Sequence, residues 1–91
     1  MLNSGKGLRL EADKLSEECQ AVLRFICAAH RTNPEAEVSE LALRKELGLE
    51  GRLVRRCLAQ LVRLGLIEAD LLLVNLWARA TELGLAATEE R

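Results

Sequence analysis

Ninety-one residues, 49% hydrophobic and 30% charged with a formal net charge of −1, describe one small globular domain and exclude a disordered or strongly basic chain. No apolar run approaches the roughly 20 residues of a membrane-spanning helix. With one Trp, one Phe and no Tyr, the core is built from Leu, Val, Ile and Ala, and the richness in Leu, Ala, Glu and Arg favours helices.

The charge is unevenly placed. Residues 44–63 carry six basic and two acidic side chains, whereas residues 1–40 carry five basic and seven acidic, and residues 64–91 two basic and five acidic. A local positive patch on an acidic body can focus a field at one face; an ordinary solvated helix face is the plainer alternative.

In chain order, residues 1–12 are expected to form a flexible N-terminal arm, with Lys6 and Arg9 able to touch a phosphate backbone. The opening MLNSGKGLRL lacks the apolar stretch of a secretory leader, which points to a cytoplasmic protein. A first helix is expected over 13–30, capped by Asp13, because Leu15, Cys19, Val22, Leu23, Ile26 and Cys27 recur on one helical face. Phe25, with Ala21 and Ala28, forms a thinner apolar edge that could meet a neighbouring element or a second subunit. His30 has no second His or Cys nearby, so no metal site is expected. Asn33-Pro34 marks a loop.

A second helix opens at the cap Ser39 and stops at Gly48, the usual residue for a left-handed helix end. After Gly48-Leu49-Glu50 a third helix runs over 51–64, closed by Gly65. Val54, Cys57, Leu58 and Leu61 form its core side; Arg52, Arg55, Arg56 and Gln60 line the other. Leu66, Ile67 and Glu68 read as a strand. The following DLLLVNLWARAT fits either a strand pair, with Leu72, Val74, Leu76, Ala78 and Ala80 on one face, or a helix capped by Asp70. Thr81-Glu82, a fair start for a last helix over 82–90, favours the hairpin.

Cys19, Cys27 and Cys57 are odd in number and include no Cys-x-x-Cys pair, so neither a disulfide framework nor a zinc site is expected. Each falls at an apolar helix position, where reduced thiols pack as small hydrophobes. The chain shows no Ser/His/Asp set, paired carboxylates or metal cluster to support catalysis, and no cofactor is expected.

The residues Leu43, Leu47, Gly48, Leu49, Val54, Cys57, Leu58, Leu61, Gly65, Leu66 and Ile67 together resemble a winged helix-turn-helix domain. Ala80-Thr81-Glu82-Leu83-Gly84-Leu85 is similar to the Leu-Thr-x-x-Gly segment after the wing in MarR-like and related small bacterial and archaeal regulators, ArsR-like ones included. The resemblance implies a mainly α fold with a small β-hairpin: a three-helix core, a helix-turn-helix over 39–65, a wing over 66–81 and a short C-terminal helix. It further implies a DNA-binding transcriptional regulator acting as a homodimer, with the third helix in the major groove of double-stranded DNA. By that carry-over Glu50, Gly51, Arg52, Arg55 and Arg56 reach base edges, with Gln60 on the same side, and Ser39, Lys45 and Arg63 touch phosphates. Half-sites would lie about 34–36 Å apart.

Two positions depart from the family pattern. Arg44, four residues before the turn glycine, stands where a small residue is usual. The wing offers Leu71, Leu72, Leu73, Val74 and Asn75 instead of Lys or Arg. So concentrated an apolar surface suits a protein interface. Phe25, Leu71, Leu72, Leu73 and Trp77 are the candidate partner or dimer interface; buried against a second copy they leave the arginine face free for DNA, and the alternative function is an interaction module that docks a protein through its apolar wing without binding DNA.

Overall fold

Three amphipathic helices turn their apolar stripes inward onto a small sheet. The computed structural model describes residues 15–89. In order these form α1 (Glu17–Thr32), β1 (Val38–Ser39), α2 (Glu40–Leu47), α3 (Gly51–Arg63), β2 (Ile67–Ala69), β3 (Trp77–Ala80) and α4 (Glu82–Ala87). The chain is mainly helical with a three-stranded antiparallel sheet in the order β1-β3-β2. The expected arm and the Asp13 cap lie outside the described residues.

Local chemistry sets the boundaries. The Ser16 hydroxyl accepts from the Cys19 amide at 3.2 Å to start α1. That helix continues past the expected end to Thr32, stopping where Asn33, extended at φ −148°, must precede Pro34. Ser39 caps α2 through the Ala42 amide at 3.0 Å, and Gly48 ends it in the left-handed region at φ 65°. Past Leu64 the chain closes α3 with a paired motif: the Gly65 amide donates to Val62 O and the Leu66 amide to Leu61 O. Thr81 Oγ1 accepts from the Gly84 amide to start α4, while its hydroxyl donates to Gly65 O at 2.7 Å.

The core joins every element. Leu23 and Ile26 of α1, Leu43 of α2, and Leu58 and Leu61 of α3 are fully buried against Leu66, Ile67 and Leu76. The hairpin reading of the ambiguous stretch holds for β2 and β3, whose register pairs Ile67 with Ala80 and Ala69 with Ala78. Only Leu76, Ala78 and Ala80 follow the expected inward alternation, however. Residues 71–75 form turns and a bend instead of strand, and Leu72 and Val74 point into solvent. Asp70 Oδ1 accepts from the Leu72 amide at 3.0 Å and folds the chain back before a longer ladder can form.

The cysteines correct the reading of three reduced thiols. Cys19 of α1 and Cys57 of α3 form a disulfide, with a Cα–Cα distance of 5.0 Å. Each lies in its helix's inward stripe, and packing those stripes face to face brings them within bridging range. Residues 38 positions apart give no local spacing signal. Such bridges persist in oxidising surroundings and are uncommon in the cytosol of most organisms, so the cysteines no longer support a cytoplasmic location. No helix among the described residues is long and apolar enough to cross a membrane. Cys27 remains free and buried. Burial pushes its thiol pKa up, against the lowering effects of a hydrogen bond with Thr88 and the charge of Arg31, which disfavours a reactive thiolate.

Two measurements test this packing. Closing a loop of 38 residues constrains the unfolded chain, so reductant should lower the unfolding free energy by about 3–4 kcal/mol in urea titrations. Equal midpoints with and without reductant would mean that the bridge is absent. At Gly84 a Cβ would collide with the Leu66 backbone carbonyl oxygen, which no side-chain rotation can move. Gly84→Ala should therefore cost at least about 2 kcal/mol in the same assay.

Candidate functional site

The solvent face of α3 and the loop between β2 and β3 make up the site. Helix α3 has a strongly two-sided sequence: Val54, Cys57, Leu58 and Leu61 are buried, while Arg52, Arg56 and Arg63 are exposed. Arg44 and Lys45, in the last turn of α2, are exposed as well. Among the described residues the one ion pair is Arg55–Glu40, so these five cations have no carboxylate partner within that set.

Arg55 behaves differently from its neighbours. Its Nε donates to Glu40 Oε2 at 3.1 Å and its Nη2 to Glu40 Oε1 at 2.8 Å, a two-pronged pair across α2 and α3. Nη1 donates to Leu71 O at 2.8 Å and Nη2 also to Leu73 O at 3.0 Å. Glu40 Oε1 in turn accepts from the Leu76 amide at 3.3 Å, and the Glu40 amide donates to Leu76 O at 2.8 Å. Beside it Asn75 Oδ1 accepts from the Leu41 amide at 2.9 Å, with Asn75 itself at φ 51°. A planar guanidinium suits this arrangement, because its donors diverge in a fixed fork. The loop is thus folded back onto the start of α2.

The residues expected to contact DNA divide into two groups. Lys45, Glu50, Arg52, Arg56 and Arg63 lie in solvent. Glu50 stands at the start of α3 but its carboxylate makes no cap there. Ser39, Gly51, Arg55 and Gln60 are taken up internally. Ser39 caps α2, and Gln60 Oε1 lies 3.8 Å from Cys19 Sγ. A Cβ on Gly51 would stand 3.1 Å from Arg44 Nε, so the long Arg44 side chain lies across the opening of α3 where a small residue was expected to be needed.

The expected partner surface divides similarly. Phe25 and Leu71 are half-buried against the protein's own core, whereas Leu73 and Trp77 are about half exposed. Leu72 at 94% and Val74 at 93% are almost fully exposed. Trp77 and Arg79 alternate outward on β3 with the inward Ala78 and Ala80, and Glu68 of β2 is paired with Arg79. Sequence alternation could have found this outer face. Nothing in the sequence pointed to the Glu40–Arg55 pair, whose members lie on different helices.

No family model matches the chain, and no curated protein or solved structure matches it. Function must then be argued from the site. No group of three or more His, Cys, Asp or Glu among the described residues could hold a metal ion.

The Arg55 fork makes a measurable demand. Arg55→Ala leaves Glu40 and two loop carbonyls without their donor, at a cost of about 2 kcal/mol once the part-exposure of the arginine is allowed for. The Leu76 amide should lose hydrogen-exchange protection while α1 amides keep theirs relative to global stability. Undiminished protection at Leu76 would show that the fork does not hold the loop.

Proposed function

We propose that this chain is a winged helix-turn-helix domain that binds double-stranded DNA, with α3 as its recognition helix. The observation that carries this reading is the solvent face of α3, where Arg52, Arg56 and Arg63 stand exposed on a protein whose net charge is −1. The left-handed turn at Gly48 between α2 and α3, and the β2–β3 hairpin that follows, support the same reading. A helix of this kind enters the major groove with its first turns against base edges. Arg52 and Arg56 take the base-reading roles, since a guanidinium can pair in two-pronged fashion with guanine O6 and N7. Lys45 and Arg63 neutralise phosphates. Arg55 is removed from the reading set because its donors hold the loop.

A second reading has its own support: the near-complete exposure of Leu72 and Val74 on a loop whose backbone is held from within favours docking of a protein by the hairpin. The two readings use different side chains and are compatible in one molecule.

Fluorescence anisotropy with a mixed-sequence duplex tests the DNA reading. Two neutralised phosphates per domain, at Lys45 and Arg63, give a log–log salt slope of roughly −2, and a slope near twice that marks two domains on one site. Arg52→Ala with Arg56→Ala should weaken binding at least about tenfold at low salt, without the loop defect that Arg55→Ala brings. Binding unchanged by the double substitution overturns the reading.

A further inference from the structure

On the outer face of the sheet, beside the loop, lies an open cleft of about 560 Å³. Trp77 and Leu73 supply its apolar floor, and Glu37, Glu68, Asp70 and Arg79 stand around it. Three carboxylates to one guanidinium leave the cleft acidic, and Glu37 and Glu68 are exposed. Neither forms an ion pair among the described residues, where Arg55–Glu40 is the one pair.

We propose that this cleft docks a cationic amphipathic segment of a partner protein, in which lysines or arginines flank an apolar side chain. The inference rests on the reading that the hairpin docks a protein, and it names the chemistry of what is docked. The apolar side chain covers Trp77 and Leu73, and the flanking cations meet Glu37, Glu68 and Asp70. A cation over the indole face of Trp77 gains further attraction from the ring quadrupole. Such complementarity fixes register and speeds encounter more than it adds raw affinity. The floor is formed in advance, because Arg55 and Asp70 already hold the loop backbone, so little ordering is needed on binding.

The same chemistry argues against other occupants. An anionic membrane surface or a nucleic-acid backbone would be repelled by the three carboxylates. A second copy seated symmetrically on this face would set each acidic cleft against another of the same sign.

Trp77 is the single tryptophan of the chain, so its emission reports on the cleft alone. The oxidised full chain is titrated with a seven-residue peptide alternating lysine and leucine, and separately with the same peptide carrying glutamate for lysine. The lysine peptide should move Trp77 emission to the blue in a saturable, salt-sensitive way, and the glutamate peptide should not. In the Glu37→Lys, Glu68→Lys variant the lysine peptide should bind at least about tenfold more weakly and the glutamate peptide should become the better ligand. Both substitutions fall on exposed side chains, and the comparison of the two peptides on the unaltered protein decides the matter even where that variant misfolds. A blue shift with the glutamate peptide alone overturns the charge assignment while leaving protein docking in place. Silence toward both peptides overturns the docking reading with it. A blue shift on neutral phosphatidylcholine vesicles, or one that tracks chain concentration together with a dimer mass in sedimentation, overturns the proposal in favour of a membrane surface or a second copy. The DNA reading is judged by duplex anisotropy and is untouched by any of these results.

Discussion

The Arg55 guanidinium joins three parts of the molecule that share no backbone continuity: the start of α2, the first turns of α3 and the loop between β2 and β3. Its partner Glu40 has a side chain only 12% exposed, so the carboxylate depends on this cation and on the Leu76 amide for its polar contacts. Without them the carboxylate would be a largely buried charge with no partner, and burial of an unpaired charge costs more than the pair itself contributes. The loop is therefore held by a polar hub, while its own side chains are left unused for folding. That is why Leu72 and Val74 can be almost fully exposed on a loop whose backbone is well satisfied.

From this constraint the surface divides. The cations of α2 and α3 that remain outside the hub are exposed on those two helices, while the acidic cleft is lined by the loop and the sheet. Arg55 belongs to neither set. Its neighbours Arg52 and Arg56 are one turn or less away on the same helix, yet both point into solvent. The difference is rotational: Arg55 lies on the edge of α3 that turns toward Glu40, and helical periodicity carries the other two past it.

Much of the fold was legible in the sequence because it follows from periodicity and end signals. The stripe of Val54, Cys57, Leu58 and Leu61, the caps Ser39 and Thr81, and the stops at Gly48 and Gly65 are local properties, and the structure places them as the residues suggest. The loop was less legible, since Leu72 and Val74 fit an inward alternation that the Asp70 turn breaks. Two features were not legible at all: the Glu40–Arg55 pair spans two helices and the Cys19–Cys57 bridge spans 38 positions. The cleft was legible only in its Leu73 and Trp77 floor, since it collects Glu37 from before β1 with Glu68 and Arg79 from the hairpin. Each depends on distant segments meeting, which spacing within one segment cannot report.

The bridge bears on α3 in a more limited way than its position suggests. Cys19 and Cys57 are 3% and 0% exposed within a core that already includes Val54, Leu58 and Leu61 from the same helix. As thiols they would still fill that space as small apolar groups. A disulfide between long-separated residues acts mainly by restricting the unfolded chain, so opening it changes how much of the protein is folded more than where α3 lies in the folded form. The orientation of Arg52, Arg56 and Arg63 is set by apolar packing on the opposite side of the helix. An arginine face positioned in this way should be presented alike in oxidising and reducing surroundings, and the redox state of the compartment then governs the stability of the domain and not the geometry of its cationic surface.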